Sequence, residues 1–303
     1  MSINIHSLGD LSYTLYQLIL VLVILFAAKY YRAWYTRGVD DFALMEDHKI
    51  SSAGISMFGF LGAMTIIIAL AFGGESVSMF DDTMQILLTA FIGMILFSLN
   101  SFFVDGIILK GLGNSTIKDA LNNNKISIGV LQAFGFISAA TQFYFANQGV
   151  DQITLGLFMI SVPYFILGQF IVVSSMAAFI AVTSYDDHEE LFKGNVAVAI
   201  SHGFLMLSIS AIIGMVSQQA LSVDLNTVLL IIVYSVISVS LMIFIPKLLA
   251  GKFLNVVLKN KYNGKIENAV ADGQIDIASI YGIMRLIVAV VIASSFPFNI
   301  FTI

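Results

Sequence analysis

The sequence predicts an all-α polytopic membrane protein with eight transmembrane helices. Its 303 residues are 58% hydrophobic and only 11% charged, with a mean hydropathy of +0.93, whereas a soluble domain carries about 25% charged residues. Apolar runs with few or no charges, each long enough to cross ~30 Å of hydrocarbon, occur eight times. Runs of this length without period-2 alternation favour helices, because barrel strands need only about 10 residues.

The eight predicted spans follow one another at short intervals. The N-terminal MSINIHSLGD has no lysine or arginine, unlike the basic start of a signal peptide, so we expect the first apolar run to stay in the membrane. The fifth run is the longest and must tilt, kink near Pro163 or begin along the interface. The predicted spans are 11–28, 53–72, 84–103, 126–146, 153–182, 196–216, 228–250 and 275–298.

Basic residues predict the orientation of these spans. Of the 14 lysines and arginines, 13 fall in the segments after spans one, three, five and seven. Such segments are expected in the cytoplasm, which places both termini outside. The opposite side carries Asp10, Glu75, Asp81 and other acids and no basic residue. We therefore expect a multi-pass membrane protein with both termini outside the cytoplasm.

The even-numbered spans share a repeated entrance. The segments are HKISSAGISMFG at 48–59, NKISIGVLQAFG at 124–135, FKGNVAVAISHG at 192–203 and ADGQIDIASIYG at 271–282. Each has a glycine ten residues after a charged residue; the four glycines are Gly59, Gly135, Gly203 and Gly282. The repeat unit is therefore a hairpin of two spans, which predicts pseudo-symmetry.

The repeated glycines have two interpretations. Glycine and alanine on one helix face let neighbouring backbones approach closely, as is usual between helices in lipid. In the first, purely structural interpretation, the faces form a helix-packing seam. In the second, functional interpretation, four such faces line a shared cavity, with Asn195 and His202 as polar contacts.

Residues 183–203, TSYDDHEELFKGNVAVAISHG, resemble the signature of a bacterial membrane family known as domain of unknown function 350. The match is specific at Tyr185, Asp186, Glu189, Gly194, Asn195, Ala197, Ala199 and Ile200. The resemblance implies an inner-membrane protein of unassigned activity, built from paired two-helix units. We expect one half at residues 1–150, with hairpins one and two, and another at 151–303, with hairpins three and four.

Arg285 is the most unusual single residue. It lies near the middle of the eighth span, where an arginine costs about 2.5–3.5 kcal/mol on insertion scales. No carboxylate occurs at a similar depth, so it must find water, backbone carbonyls, an anionic ligand or a partner chain; the alternative is a snorkelling arginine. The candidate cavity or gate residues are Arg285, Asn195, His202, Gln274, Asp276 and Gln132.

Signals for catalysis or metal binding are weak. The chain has no cysteine, and its four histidines show no metal-site spacing. No acid is expected near His202, so no serine–histidine–aspartate set can be assembled. The acids of 186–190 are interpreted as a solvated helix cap rather than a cation site. We expect no enzyme activity, no cofactor, no metal and no nucleic-acid partner.

Two function classes stay open. One is a passive or ion-coupled pathway for a small solute or ion between the repeated hairpins. The other is a non-catalytic membrane scaffold or envelope-stress-associated subunit, whose repeats serve packing. The expected partners are the lipid bilayer and either further copies of the chain or a membrane protein. An intramembrane enzyme is a third, weaker alternative because no catalytic set is present.

Overall fold

A computed structural model describes residues 5–35, 46, 51–73, 78–109, 117–148, 155–218 and 225–295. All eight predicted spans are helices long and apolar enough to cross a membrane, which confirms the fold class. The loop with Arg37 and Lys49 lies outside the described residues. The spanning helices are α1 (Ile5–Tyr35), α2 (Ser52–Ala69), α3 (Met79–Leu109), α5 (Ile126–Asn147), α6 (Leu155–Val182), α8 (Val196–Ser217), α9 (Leu225–Phe253) and α12 (Ile275–Ser294).

Within the described part of the chain, four short helices lie between the spans. They are α4 (Ile117–Asn122), α7 (Asp187–Lys193), α10 (Asn255–Lys261) and α11 (Ile266–Ala271), and a 3₁₀ turn, Leu70–Phe72, extends α2. Three of these short helices, α4, α7 and α11, directly precede an even-numbered span.

The eight spans pack as two rows of four. In one row α2 packs along α5, α5 along α8 and α8 along α12. In the other row α1 contacts α3, α3 contacts α6 and α6 contacts α9, with looser packing. Each helix of the second row also lies against helices of the first, so the first row holds most of the buried surface.

Small residues make the close approach in the first row possible. A Cβ atom at Gly59 of α2 would lie 2.3 Å from the Cα of Ala133 on α5. The rings of Phe134 and Phe204 lie over Gly203 and Gly282, where an added Cβ would come within 2.3 Å of ring carbon. Substituting any of the three glycines therefore forces neighbouring atoms to move, because carbon atoms pack best about 3.5–4.0 Å apart.

The row arrangement contradicts the alternative in which the four glycine faces line one shared cavity. Among the described residues, the contacts of the even-numbered spans run in sequence from α2 to α12, and α2 does not pack along α12. The faces with Gly59 and Gly282 therefore belong to opposite ends of a row and do not converge on one centre. Helices α5 and α8 each use two faces, one toward each neighbour in the row.

The repeated entrance is a short helix that ends in a left-handed residue and turns directly into a span. Asn124, Gly194 and Gly273 have φ values of 50°, 94° and 78°. The next residue donates its N–H back to the short helix, as Asn195 does to the Glu190 carbonyl at 3.0 Å. This is the Schellman arrangement, which needs a residue that tolerates positive φ.

The helix starts show that the second copy has a different register from the one assigned by its glycine. Helices α2, α8 and α12 begin seven residues before Gly59, Gly203 and Gly282, whereas α5 begins nine residues before Gly135. The residue of α5 that matches the other three glycines is therefore Ala133. The alignment based on Gly135 was wrong by two residues, because it matched the glycines instead of the helix starts.

Each entrance is also tied to the short helix of the next hairpin. The Ser52 hydroxyl donates to the Leu121 carbonyl at 2.9 Å, and the Ser127 hydroxyl to the Leu191 carbonyl at 2.5 Å. The Asn195 amide donates to the carbonyl of Ala271 at 2.9 Å. Three consecutive junctions use the same type of bond, so the repeat aligns neighbouring hairpins at one end of the bundle.

Candidate functional site

A buried polar cluster lies in the second half of the chain, at the end of the bundle that carries Lys193 and Lys247. We define it by Tyr185, Asp187, His202 and Arg285. Asp187 is 1% exposed, and His202 and Arg285 are 0% exposed. Three fully buried ionisable side chains in one place carry a large desolvation cost, so their partners decide what the cluster can do.

The entrance to α7 positions the carboxylate. Asp186 is the N-cap of this helix, and its side chain accepts the Glu189 N–H at 3.0 Å. Asp187 is then the first helical residue and points into the bundle, where one of its oxygens is bonded to the Thr183 hydroxyl. The acidic run is thus split, because one acid caps the helix and the next is buried.

Asp187 and His202 face each other across 3.1 Å, from Oδ1 to Nε2. The other ring nitrogen, Nδ1, lies 2.9 Å from the Val198 carbonyl, which can only accept, so Nδ1 carries hydrogen. Nε2 and a carboxylate oxygen would both be acceptors unless a proton lies between them. A hydrogen bond between these two atoms therefore requires a proton on one of them.

Arg285 is held by backbone and by aromatic rings. Its Nη1 donates to the Ser201 carbonyl at 2.5 Å and to the Ser201 hydroxyl at 3.2 Å. The guanidinium carbon lies 4.5 Å from the centre of the Phe179 ring and 4.0 Å from that of Tyr281, within the range of a cation–π contact. Nε and Nη2 make no hydrogen bond within the described part of the chain.

One of these rings joins the arginine to the Asp187–His202 pair. Phe179 also contacts the imidazole of His202, with ring centres 5.5 Å apart. Ser201, which accepts from Arg285, is the chain neighbour of His202. The Arg285 guanidinium thus lies beside the histidine of this pair.

Tyr185 covers the cluster from the loop between α6 and α7. Burial raises the pKa of its hydroxyl well above the ordinary value, and the nearby Asp187 carboxylate raises it further, while Arg285 acts in the opposite direction. The phenol therefore stays protonated at every physiological pH. A neutral hydroxyl both donates and accepts, so it can pass a proton between the loop and the carboxylate.

Asp187 corrects the expectation that no acid lies near His202. The two residues are fifteen positions apart, and the carboxylate comes from a short helix between the spans rather than from the depth of a span. The sequence did contain a signal for the position of Asp187. Asp186 is a typical N-cap residue, so the helix begins at Asp187 and fixes the direction of that side chain. Arg285 meets a backbone carbonyl, at Ser201, which is one of the four kinds of partner that the sequence left open for it.

The structure places the other candidates at the ends of helices. Asn195 caps α8, accepting from the Ala197 and Val198 N–H groups, and its amide donates to three other oxygens, so its polar atoms are used in joining elements. Gln274 stands at the start of α12, and Asp276 is exposed there. These groups do not meet the buried polar cluster.

Gln132 belongs to a second polar chain in the first half of the protein. It accepts from the Ser56 hydroxyl at 2.7 Å, and Ser56 accepts from Arg32 at 2.9 Å. Arg32 is only 1% exposed, although it follows the first predicted span. Gln132 and His202 occupy matching positions, six residues after the starts of α5 and α8.

Fold and site together define a polytopic α-helical membrane protein of repeated hairpins, with a buried ionisable cluster in its second half. Comparison with protein families agrees with the resemblance seen in the sequence. The family model Domain of Unknown Function (DUF350) matches twice, over residues 5–145 and 153–296, and the chain belongs to this family. No curated protein and no solved structure matches the chain.

Proposed function

We propose that the protein is a proton-coupled pathway for a small solute or ion across a bacterial inner membrane. The observation that carries the proposal is the 3.1 Å contact between Asp187 and His202, both fully buried and both acceptors unless they share a proton. Ionisable residues within membrane proteins are costly and typically mark ion pathways and proton relays.

The neighbours of the pair support this role. Tyr185 offers a neutral hydroxyl on the loop side of Asp187, and the ring of His202 lies further along α8. A proton taken up at the loop can thus reach the imidazole through the carboxylate. Arg285 supplies a fixed positive charge beside this route, which opposes the passage of other cations at that depth.

The distribution of lysines supports an orientation. Lys193 and Lys247 stand at the same end of the bundle as the cluster, and segments rich in lysine stay in the cytoplasm. The cluster then opens toward the cytoplasm, and the termini are outside. A proton would pass between the cytoplasm and the depth of His202.

Proton movement in liposomes tests the proposal. Purified protein is reconstituted with a pH-sensitive dye inside, a potassium diffusion potential is imposed, and the internal pH is followed with and without small anions and amines outside. We expect proton entry above that of empty liposomes. Asp187→Asn keeps the shape of the side chain and removes its charge, so entry should fall to the level of empty liposomes.

A matched variant separates the cluster from general charge effects. Asp276→Asn removes an exposed carboxylate from the start of α12 and should leave proton entry unchanged. Wild-type protein that moves no protons under any of these gradients would overturn the proposal. Equal entry through Asp187→Asn and wild type would show that the pair does not carry the proton.

The non-catalytic scaffold remains the second candidate, and the outer faces of the bundle favour it. Helix α1 exposes a stripe of large apolar side chains, including Leu15, Leu22 and Phe26, and only 11% of its span is buried. Such a face can pack against lipid or a second protein. Cross-linking in native membranes that captures one partner along α1, together with absent proton movement, would favour this role.

A further inference from the structure

The crevice between α6 and α9 has two parts of opposite character. Toward the middle of the membrane it forms a cavity of about 490 Å³, lined by apolar residues and four serines of both helices. At the lysine-bearing end a second cavity, of about 290 Å³, is lined by Lys247, Lys265 and Glu267 together with Gly251 and Gly264. Neither cavity touches the buried polar cluster.

The two cavities follow one line along the helices. Ala178 and Ile243 line the apolar part, while Val182 and Lys247, each four residues further on, line the polar part. Four helical residues span about 6 Å. Both helices run in the same direction, so one elongated molecule can occupy both parts.

Two of the four serines in the apolar part already donate their hydroxyls to backbone carbonyls. The Ser175 hydroxyl donates to the Ile171 carbonyl at 2.6 Å, and the Ser240 hydroxyl to the Val236 carbonyl at 2.8 Å. The lining therefore presents mainly carbon atoms, which suits a hydrocarbon chain. Its volume falls within the range of about 300–1,000 Å³ typical of ligand pockets.

The polar part carries excess positive charge. Lys247 forms an ion pair with Glu267, which leaves Lys265 as the additional charge of the lining. From Lys247 to Lys265 the chain contains five lysines and no acid. Basic pockets between transmembrane helices at the cytoplasmic side bind anionic lipid headgroups.

We infer that the crevice between α6 and α9 binds an anionic phospholipid of the surrounding bilayer. Its acyl chain occupies the apolar cavity, and its phosphate lies against Lys247 and Lys265. This site is separate from the proposed proton route, so either can fail without the other. Bound lipid would fill the space where α6 and α9 are only loosely packed.

Native mass spectrometry of the full chain tests the site. Detergent-purified protein is titrated with phosphatidylglycerol or phosphatidylcholine, which differ in charge, and the bound fraction is measured. We expect tighter binding of phosphatidylglycerol. The double variant Lys247→Gln/Lys265→Gln should weaken phosphatidylglycerol binding by about five-fold or more, because each lysine near an anionic surface contributes about 1 kcal/mol. Phosphatidylcholine binding should be unchanged.

Two controls localise the effect. Lys252→Gln/Lys259→Gln removes the same charge from neighbouring exposed lysines outside the crevice and should bind phosphatidylglycerol as wild type does. Ser174→Phe fills the apolar part and should weaken both lipids, whereas Val233→Phe, on a face of α9 outside the lining, should not. Each variant must first elute as a single folded species.

Three outcomes would overturn the inference. Equal affinity for the two lipids would show that the charge has no role. Equal losses in the two lysine pairs would show that the headgroup binds the general surface. Unchanged binding in Ser174→Phe would place the lipid elsewhere.

Discussion

Packing between α2 and α5 gives a prediction whose size follows from the structure. A Cβ atom at Gly59 would lie 2.3 Å from the Cα and 2.4 Å from the Cβ of Ala133. Carbon atoms pack at about 3.5–4.0 Å, so Gly59→Ala must push the helices apart by about 1 Å or more. The obstacle is backbone, which cannot rotate away as a side chain can.

The expected loss of stability combines two terms. Overpacking costs about 1–3 kcal/mol, and a backbone obstacle favours the upper end. Alanine is better than glycine in a helix by about 1 kcal/mol, which offsets part of the cost. The net loss is about 2 kcal/mol, or a fall in melting temperature of about 4–8 °C.

Gly62 provides the matched control because it lies three residues further on the same helix, and no atom of the described residues lies within 4 Å of a Cβ added there. Gly62→Ala should keep or slightly raise the melting temperature. Both variants are heated in detergent, and the remaining monodisperse protein is measured by size exclusion with fluorescence of Trp34, the single tryptophan. Equal melting temperatures for the two variants would refute the packing of α2 on α5.

Two further predictions concern the polar groups. Asn195→Ala should cost about 1 kcal/mol through loss of the helix cap. The Asn195 amide is also the main cause of the lowered pKa of Glu190, with Lys193 adding to it. Because the pKa of Glu190 is lower in the folded state, its ionised carboxylate stabilises the fold at pH values above the ordinary pKa of 4.5. This stabilisation is lost as the pH falls through the folded-state pKa. The difference in melting temperature between Asn195→Ala and wild type should therefore narrow below pH 4.5, and a constant difference would exclude the link with Glu190. Arg285→Met keeps most of the volume and removes the charge with its two unbonded nitrogens, so the fold should be retained or stabilised, while cations should enter liposomes faster. Unchanged cation entry would show that the charge of Arg285 is not a barrier to cations. The control is Arg285→Lys, which keeps the charge.

The eight spans could be predicted because the bilayer requires each spanning segment to have a minimum length and an apolar composition, and both can be read from the sequence. The repeat was visible for the same reason, since its glycines interrupt those apolar runs. The register of the second copy was missed because Ala133 replaces the glycine and Gly135, two residues later, matches by type alone. Only the helix start at Ile126 reveals the shift.

The polar cluster was less accessible to sequence reasoning. Asp187 stands in a run of acids that looks uniformly solvated, and its burial depends on the rotation of α7, which Asp186 fixes by capping the helix. The main partner of Arg285 is a backbone carbonyl, which every residue possesses and which leaves no mark in the sequence. Glycine faces are likewise compatible with a ring or a row, and the choice depends on α5 and α8 using two faces each.

Nitrogen-15 NMR of the His202 side chain in lipid bilayers tests the proposed shared proton most directly. The other three histidines, His6, His48 and His188, are replaced so that only His202 gives a signal. The comparison is the Asp187→Asn variant in the same background. We expect that Nδ1 carries hydrogen in both proteins and that Nε2 shows a strong hydrogen bond only when Asp187 is present. A ring protonated on Nε2 alone, or a spectrum that Asp187→Asn leaves unchanged, would contradict this expectation.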